Sequence, residues 1–208
     1  MKLHAQDLTA LVQATLAHYS ARAAAFEAGT RDHDVRQNID ALLRHITGAA
    51  PLDLLDLGCG PGRDLRTFAQ MGHRPVGLEA VPAFVAMARS GGSEVWQQDF
   101  LHLQLPPKRF DGVFANASLF HVPSQELPRV LGELHGTLRA GGVLFSSNPR
   151  GDNTEGWNAG RYGAYHDLSR WREFMTAAGF AELEHYYRPA GLPREQQPWL
   201  ASVWRRIG

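Results

Sequence analysis

Residues 53–65 read DLLDLGCGPGRDL, an apolar run that ends in a loop with glycines at 58, 60 and 62 and then continues into a charged stretch. The spacing predicts a buried strand over 52–57, a tight loop, and a helix from about 63 to 71. Glycines at these positions remove the β-carbons that would hold a ligand away from the backbone, and the first turn of the helix offers N–H groups with no internal partner. A nucleotide-like molecule is therefore expected across the loop. It is not a dinucleotide of the usual kind. The fingerprint G-x-G-x-x-G would need its third glycine at 63, but the glycine comes one residue early and Arg63 stands there. Asp56 lies just before the loop, where a carboxylate repels a pyrophosphate but can pair with an ammonium. The expected ligand is a nucleoside that carries positive charge.

Working outward, short apolar runs alternate with helical periodicity, as they do around a largely parallel sheet. Strands are predicted at 52–57, 74–79, 94–98, 110–115 and 142–147, with helices at about 63–71, 82–90, 125–139 and 168–178. Pro128 falls early in the third of these helices, where a missing N–H is tolerated. Two further strands, AELEHYY (181–187) and LASVWRR (200–206), complete seven. Before residue 48, two amphipathic helices are expected, one through Leu8, Leu11, Val12, Thr15, Leu16 and Tyr19 and one through Val35, Ile39, Leu42, Leu43 and Ile46. The expected fold class is α/β: a Rossmann-like, doubly wound, mostly parallel seven-stranded sheet with helices on both faces. One domain is expected over 1–208, made of a helical cap (1–48) over a core (49–208), since a single core serves chains of roughly 100 to 250 residues.

Composition narrows the function classes. Lys plus Arg (21) equals Asp plus Glu (21), so no net positive field is present to hold DNA or RNA. Cys59 is the sole cysteine, which rules out an internal disulfide, and no run approaches the roughly 18 apolar residues of a membrane span. The start MKLHAQDLTALVQ has no secretory pattern, so a cytoplasmic location is expected. The His residues are scattered without zinc-motif spacing, so no metal is expected.

DLLDLGCGPGRDL resembles the first motif of the class I S-adenosylmethionine (SAM)-dependent methyltransferases, and the resemblance covers about 50–150. Other pieces follow in order. RPVGLE ends in Glu79, 19 residues after Gly60, matching the acid that accepts the ribose hydroxyls in that family. WQQDF supplies Asp99, matching the acid that meets the adenine amino group, and Phe100. FDGVFANASLFHV resembles the fourth strand and the loop beneath the sulfonium, with Asn116 and His121 facing the site, and LRAGGVLFSSNP resembles the fifth strand. The resemblance implies SAM as cofactor, S-adenosylhomocysteine as product, and a cofactor site of Asp56, Gly58, Gly60, Gly62, Glu79, Asp99, Phe100 and Asn116. Cys59 reads as a small residue fitting a tight loop.

In that fold the acceptor pocket is built by the N-terminal helices and by the connection after the fifth strand. GTRDHDVRQN supplies Arg31 and His33, with Asp32 or Asp34 read as capping the next helix. NPRGDNTEGWNAGRYGAYHD, about twenty residues without clear periodicity, supplies Arg150, Trp157, Arg161, Tyr162 and Tyr165, a length that points to a functional loop. Arg side chains among aromatic walls suit a small anionic acceptor of amino-acid or heteroaromatic type, methylated on N, O or S. His121 and His166 are the candidate bases. A nicotinamide-dependent oxidoreductase and a non-catalytic SAM-binding module are the rival readings. A nucleic-acid methyltransferase is disfavoured, since NASLF stands where many amino-group modifiers carry an Asn/Asp-Pro-Pro-aromatic stretch. Acceptor identity and oligomeric state are not readable.

Overall fold

The computed structural model describes residues 3–208. Three helices form the N-terminal cap: α1 (Ala5–Ser20), α2 (Ala23–Thr30) and α3 (Arg36–Leu43). The core then runs β1 (Asp53–Leu57), α4 (Arg63–Gln70), β2 (Arg74–Glu79), α5 (Pro82–Ser90), β3 (Glu94–Gln97), β4 (Phe110–Asn116), α6 (Leu127–Thr137) and β5 (Leu138–Pro149). It closes with β6 (Thr154–Asn158), β7 (Arg161–Tyr165), α7 (Leu168–Ala177), β8 (Phe180–Arg188) and β9 (Trp199–Arg206). Seven strands form one sheet in the order β3-β2-β1-β4-β5-β9-β8, parallel except that β9 runs antiparallel to both its neighbours.

Strand β1 is buried along its whole length, as expected for a central parallel strand covered on both faces. Successive side chains point to opposite faces. Leu54, Phe114, Val143 and Phe145 pack with Ile39 and Leu42 of α3 and Phe68 of α4, whereas Leu55, Val113, Ala115 and Leu144 pack with α6 and α7. The chain leaves β1 towards β2 on one side and returns to β4 on the other. This reversal opens a crevice at the carboxyl ends of β1 and β4, the place where open α/β sheets bind ligands.

The opposite end of β1 carries a charge cluster. Asp53 is buried, and its carboxylate meets Arg74 (2.7 Å), Arg109 (2.9 Å) and Arg139 (2.8 Å). Arg139 also reaches Asp111, whose other oxygen accepts the Asp53 backbone N–H. Three guanidinium groups, led by Arg74, hold the Asp53 carboxyl far below the usual carboxylate range. Its contribution to stability is therefore present above the unfolded-state value near pH 4 and is lost as pH falls below it. Asp53→Asn is expected to destabilise by about 1–3 kcal/mol, moderated because the three arginines remain about half exposed. Urea titration at pH 7 and pH 3.5 checks this, with the difference between the two proteins shrinking at the lower pH.

Two expectations are corrected. The cap has three helices rather than two, because AAAFEAGT (23–30), which lies between the two expected helices, forms a helix of its own. The connection after β5 is no irregular loop: β6 and β7 pair as an antiparallel hairpin, turning at Ala159 and Gly160, both at positive φ as in a type I′ turn. Glycines at 156 and 163 interrupt the side-chain alternation that would have marked these five-residue strands.

Candidate active site

Two adjoining chambers open above the carboxyl ends of β1, β2 and β4, roofed by α1 and α2. The first lies against Gly58, Gly60, Glu79, Asp99 and Phe100. The second lies between α2, α3 and the β6–β7 hairpin, against His33, Asn116, Phe120, Arg161, Arg188 and Trp199. Tyr19, Phe26, Gly58, Gly60 and Ala117 border both, so the glycine loop and the cap stand at the boundary between them.

The loop is glycine-rich for two different reasons. At Gly58, with φ +74°, an added Cβ would stand 2.6 Å from the Ser118 Cβ, so the loop can run hard against the β4 end only without a side chain. At Gly62, with φ +83°, the added atom would meet Ala88 of α5 at 2.8 Å. Gly62, expected at the cofactor, therefore serves helix packing and borders neither chamber. Asp56 is likewise corrected: it is buried beneath the loop, off both chamber walls, and its Oδ2 has no hydrogen-bond partner among the described residues. Burial, with Asp64 and Glu79 nearby, pushes its carboxyl well above the usual range.

Glu79 holds the loop as well as facing the first chamber. Its Oε2 accepts the Gly60 N–H (2.9 Å), and its Oε1 accepts those of Ala80 and Val81 (both 2.8 Å). Three of a carboxylate's roughly four acceptor sites are thus filled, leaving capacity for one strong hydroxyl donor in this conformation. Asp99 Oδ1 accepts the N–H groups of Leu101 and His102, while His102 Nδ1 lies 3.0 and 3.1 Å from its two oxygens. It shapes the turn and also borders the chamber. Asn116, expected at the cofactor, borders the second chamber instead, its Oδ1 accepting from Asn38 at 3.0 Å.

His121 was a candidate base, yet both ring nitrogens are engaged. Nδ1 lies 2.6 Å from the Tyr162 carbonyl oxygen and Nε2 lies 2.9 Å from the Tyr19 hydroxyl. A carbonyl can only accept, so Nδ1 carries the proton and Nε2 accepts from Tyr19. Burial pushes the imidazole pKa down to about 4, and the ring is neutral near pH 7. His166, the other candidate, faces a small cavity of about 10 Å³ beside Trp171, room for at most one water. It is near Ser124 Oγ (3.2 Å) and away from both chambers.

Of the residues expected to grip an acceptor, His33 and Arg161 meet in the second chamber. The others do not. Arg31 pairs with Glu27 on the exposed face of α2. Arg150 donates to the carbonyls of Gln197 and Arg194, Trp157 is 57% exposed, and Tyr162 is buried against the cap. The Tyr165 hydroxyl accepts from Asn158 across the hairpin. Alternation along β7 accounts for Tyr162, which points to the face opposite Arg161, whereas Tyr165 shares the Arg161 face and meets Asn158. Asp34 does cap α3, accepting the Arg36 N–H at 2.9 Å. Tyr19, Phe26 and Arg188 were missed. Tyr19 had been read within the apolar stripe of α1, and that stripe is what covers the site.

The charges of the second chamber are unequally matched. Arg63 is bound to Asp64 (2.7 and 2.8 Å) and to the Thr30 carbonyl. Arg188 donates to the Asp34 carbonyl, and neither Arg188 nor Arg161 meets a carboxylate among the described residues. The Arg161 Nε is buried without a partner. Cys59 borders this chamber too, but burial and the carboxylates around it raise its thiol far above the ordinary value, so it stays protonated.

A mostly parallel open sheet whose first glycine loop and second strand-end acid border one chamber has the architecture of a doubly wound nucleotide-binding fold. Residues 55–146 match the methyltransferase domain family, and the fold and the named relatives are those of SAM-dependent methyltransferases. It is 31% identical over 111 residues to malonyl-[acyl-carrier protein] O-methyltransferase of Pectobacterium atrosepticum, covering 52% of this chain and 43% of the relative. An uncharacterized methyltransferase of Schizosaccharomyces pombe is 25% identical over 188 residues, covering 76% of this chain and 71% of that one. The chain spans about half the length of the two O-methyltransferase relatives it matches. In fold it is similar to Burkholderia thailandensis 1,6-didemethyltoxoflavin-N1-methyltransferase, crystallised with 1,6-didemethyltoxoflavin and S-adenosylhomocysteine. The TM-score is 0.80 at 22% identity, covering 100% of this chain and 93% of that one.

The residues present fit the family's cofactor. The Gly58 turn presents bare backbone to the chamber, and Glu79 keeps acceptor capacity towards it.

Proposed function

We propose that this protein transfers the methyl group of SAM to a small acceptor bearing an anionic group. The observation that carries this is the adjoining pair of chambers, one framed by Gly58, Gly60 and Glu79 and the other holding Arg161, Arg188 and His33. In this reading Glu79, Asp99 and Phe100 hold the nucleoside, while Arg161 and Arg188, free of carboxylate partners among the described residues, hold the acceptor's anion. SAM, when bound, supplies a methyl group already activated by the sulfonium. The chain's own task is then to exclude water and align donor and acceptor across the Tyr19–Gly58 boundary. The relatives' names span an O-methyl acceptor and a heteroaromatic nitrogen, so both types belong in the assay.

The balanced charge argues against a polyanionic acceptor, and no described helix is long and apolar enough to cross a membrane. Action in the cytoplasm, as one domain, is part of the proposal. The test is S-adenosylhomocysteine formation from SAM over a panel of small carboxylates, amines and heteroaromatic acids. Arg161→Ala should lower kcat/KM for the accepted substrate about tenfold to a hundredfold, with calorimetric SAM affinity within twofold of wild type. Normal kinetics in that variant would remove Arg161 from the acceptor site.

A further inference from the structure

We infer that Tyr19, held in orientation by His121, is the contact by which the site tells the cationic, methyl-bearing nucleoside from its neutral thioether product. The inference rests on the methyltransferase reading and adds a residue and a discrimination to it. Tyr19 borders both chambers, so a group reaching from one to the other passes its ring. Its hydroxyl proton is committed: His121 Nε2 can only accept it, because the Nδ1 proton is held at 2.6 Å by the Tyr162 carbonyl. A phenol whose proton is pinned on one side leaves its oxygen lone pairs for the other. Such an oxygen attracts a sulfonium and the polarised C–H groups of its methyl, and offers little to a neutral thioether.

The arrangement is braced from both ends. The Tyr162 N–H donates to Thr15 Oγ1 at 3.1 Å, and Thr15 lies one helical turn from Tyr19 on the same face of α1. The cap helix and the hairpin are thus joined through a closed circuit of Thr15, Tyr162, His121 and Tyr19. Phe26 stands against Tyr19 edge to face, ring centroids 5.6 Å apart, which fixes the ring further. His121 acts here as a positioning residue and Tyr19 as the contact.

Calorimetry on the full chain with SAM and with S-adenosylhomocysteine, taken separately, tests this. Tyr19→Phe removes one oxygen and keeps the ring. It should weaken SAM binding about three- to tenfold while leaving S-adenosylhomocysteine within twofold. His121→Leu should shift the same ratio, and His121→Gln, whose amide oxygen can accept the phenol proton, should restore most of it. With SAM carrying a 13C-labelled methyl group, the bound methyl protons should resonate further downfield in wild type than in Tyr19→Phe. Equal weakening of both nucleosides, or of neither, in Tyr19→Phe would overturn the assignment and leave the methyltransferase reading standing. A wild-type protein that binds neither nucleoside would overturn that reading, and this one with it.

Discussion

Replacing Glu79 with alanine is expected to raise the dissociation constants for SAM and S-adenosylhomocysteine by about tenfold to over a hundredfold, the equivalent of about 1.5–3 kcal/mol for hydrogen bonds to a charged group. Loss of the ligand contact is only part of the cause. The same carboxylate accepts the N–H groups of Gly60, Ala80 and Val81, so alanine leaves three backbone donors to find other partners and loosens the loop that the nucleoside rests on. The melting temperature should fall together with the affinity. Glu79→Gln separates the two effects, since the amide retains one acceptor oxygen and part of the loop contact. Calorimetry and thermal unfolding on the same samples decide it, and a stable alanine variant with wild-type affinity would place Glu79 outside the cofactor site.

Asp56→Asn is expected to act in the opposite sense on stability. The carboxyl is buried with one oxygen unpartnered among the described residues, and burial together with Asp64 and Glu79 disfavours its charged form. Its folded-state pKa is raised, so the folded state binds this proton more tightly than the unfolded chain does. The stability tied to it is present in full below pH 4 and declines as pH rises through the raised value. Asparagine resembles the protonated acid and escapes that decline. The unliganded variant should gain about 1–3 kcal/mol at pH 8 and much less at pH 4, a gain of about 2–4 °C in melting temperature per kcal/mol. If a cationic nucleoside is what offsets the buried charge, the thermal shift on adding SAM should be smaller in the variant. A gain independent of pH would show that the carboxyl is not strained by its charge.

These effects bear differently on what could be read before the fold was known. The order of β1 to β5, the place of the glycine loop and the strand-end position of Glu79 were legible because each depends on residues close in sequence: an apolar run, the glycines that end it, and an acid at the end of the next strand. The antiparallel return of β9 between β5 and β8 agrees with the seven expected strands. The hairpin was not legible. Its strands are five residues long, with a glycine inside each, and their stability comes from pairing across the turn and from docking of Tyr162 on Thr15, 147 positions away.

The sequence by itself determined the class of fold, the places of the glycine loop and Glu79 at their strand ends, and the balance of charge, since local spacing and composition suffice for all three. Tertiary structure alone decided which side chains meet at the reacting end. It kept Arg31, Arg150, Trp157 and Tyr165 off the second chamber and set His166 against a small cavity of its own. It brought Tyr19 to His121 across 102 residues and Arg188 to the wall facing the cap. The physical reason is that a loop or strand end is selected by its neighbours in the chain. A hydrogen bond between distant segments is selected by how helices and strands pack, and one residue's turn about a strand is enough to send a side chain to the other face.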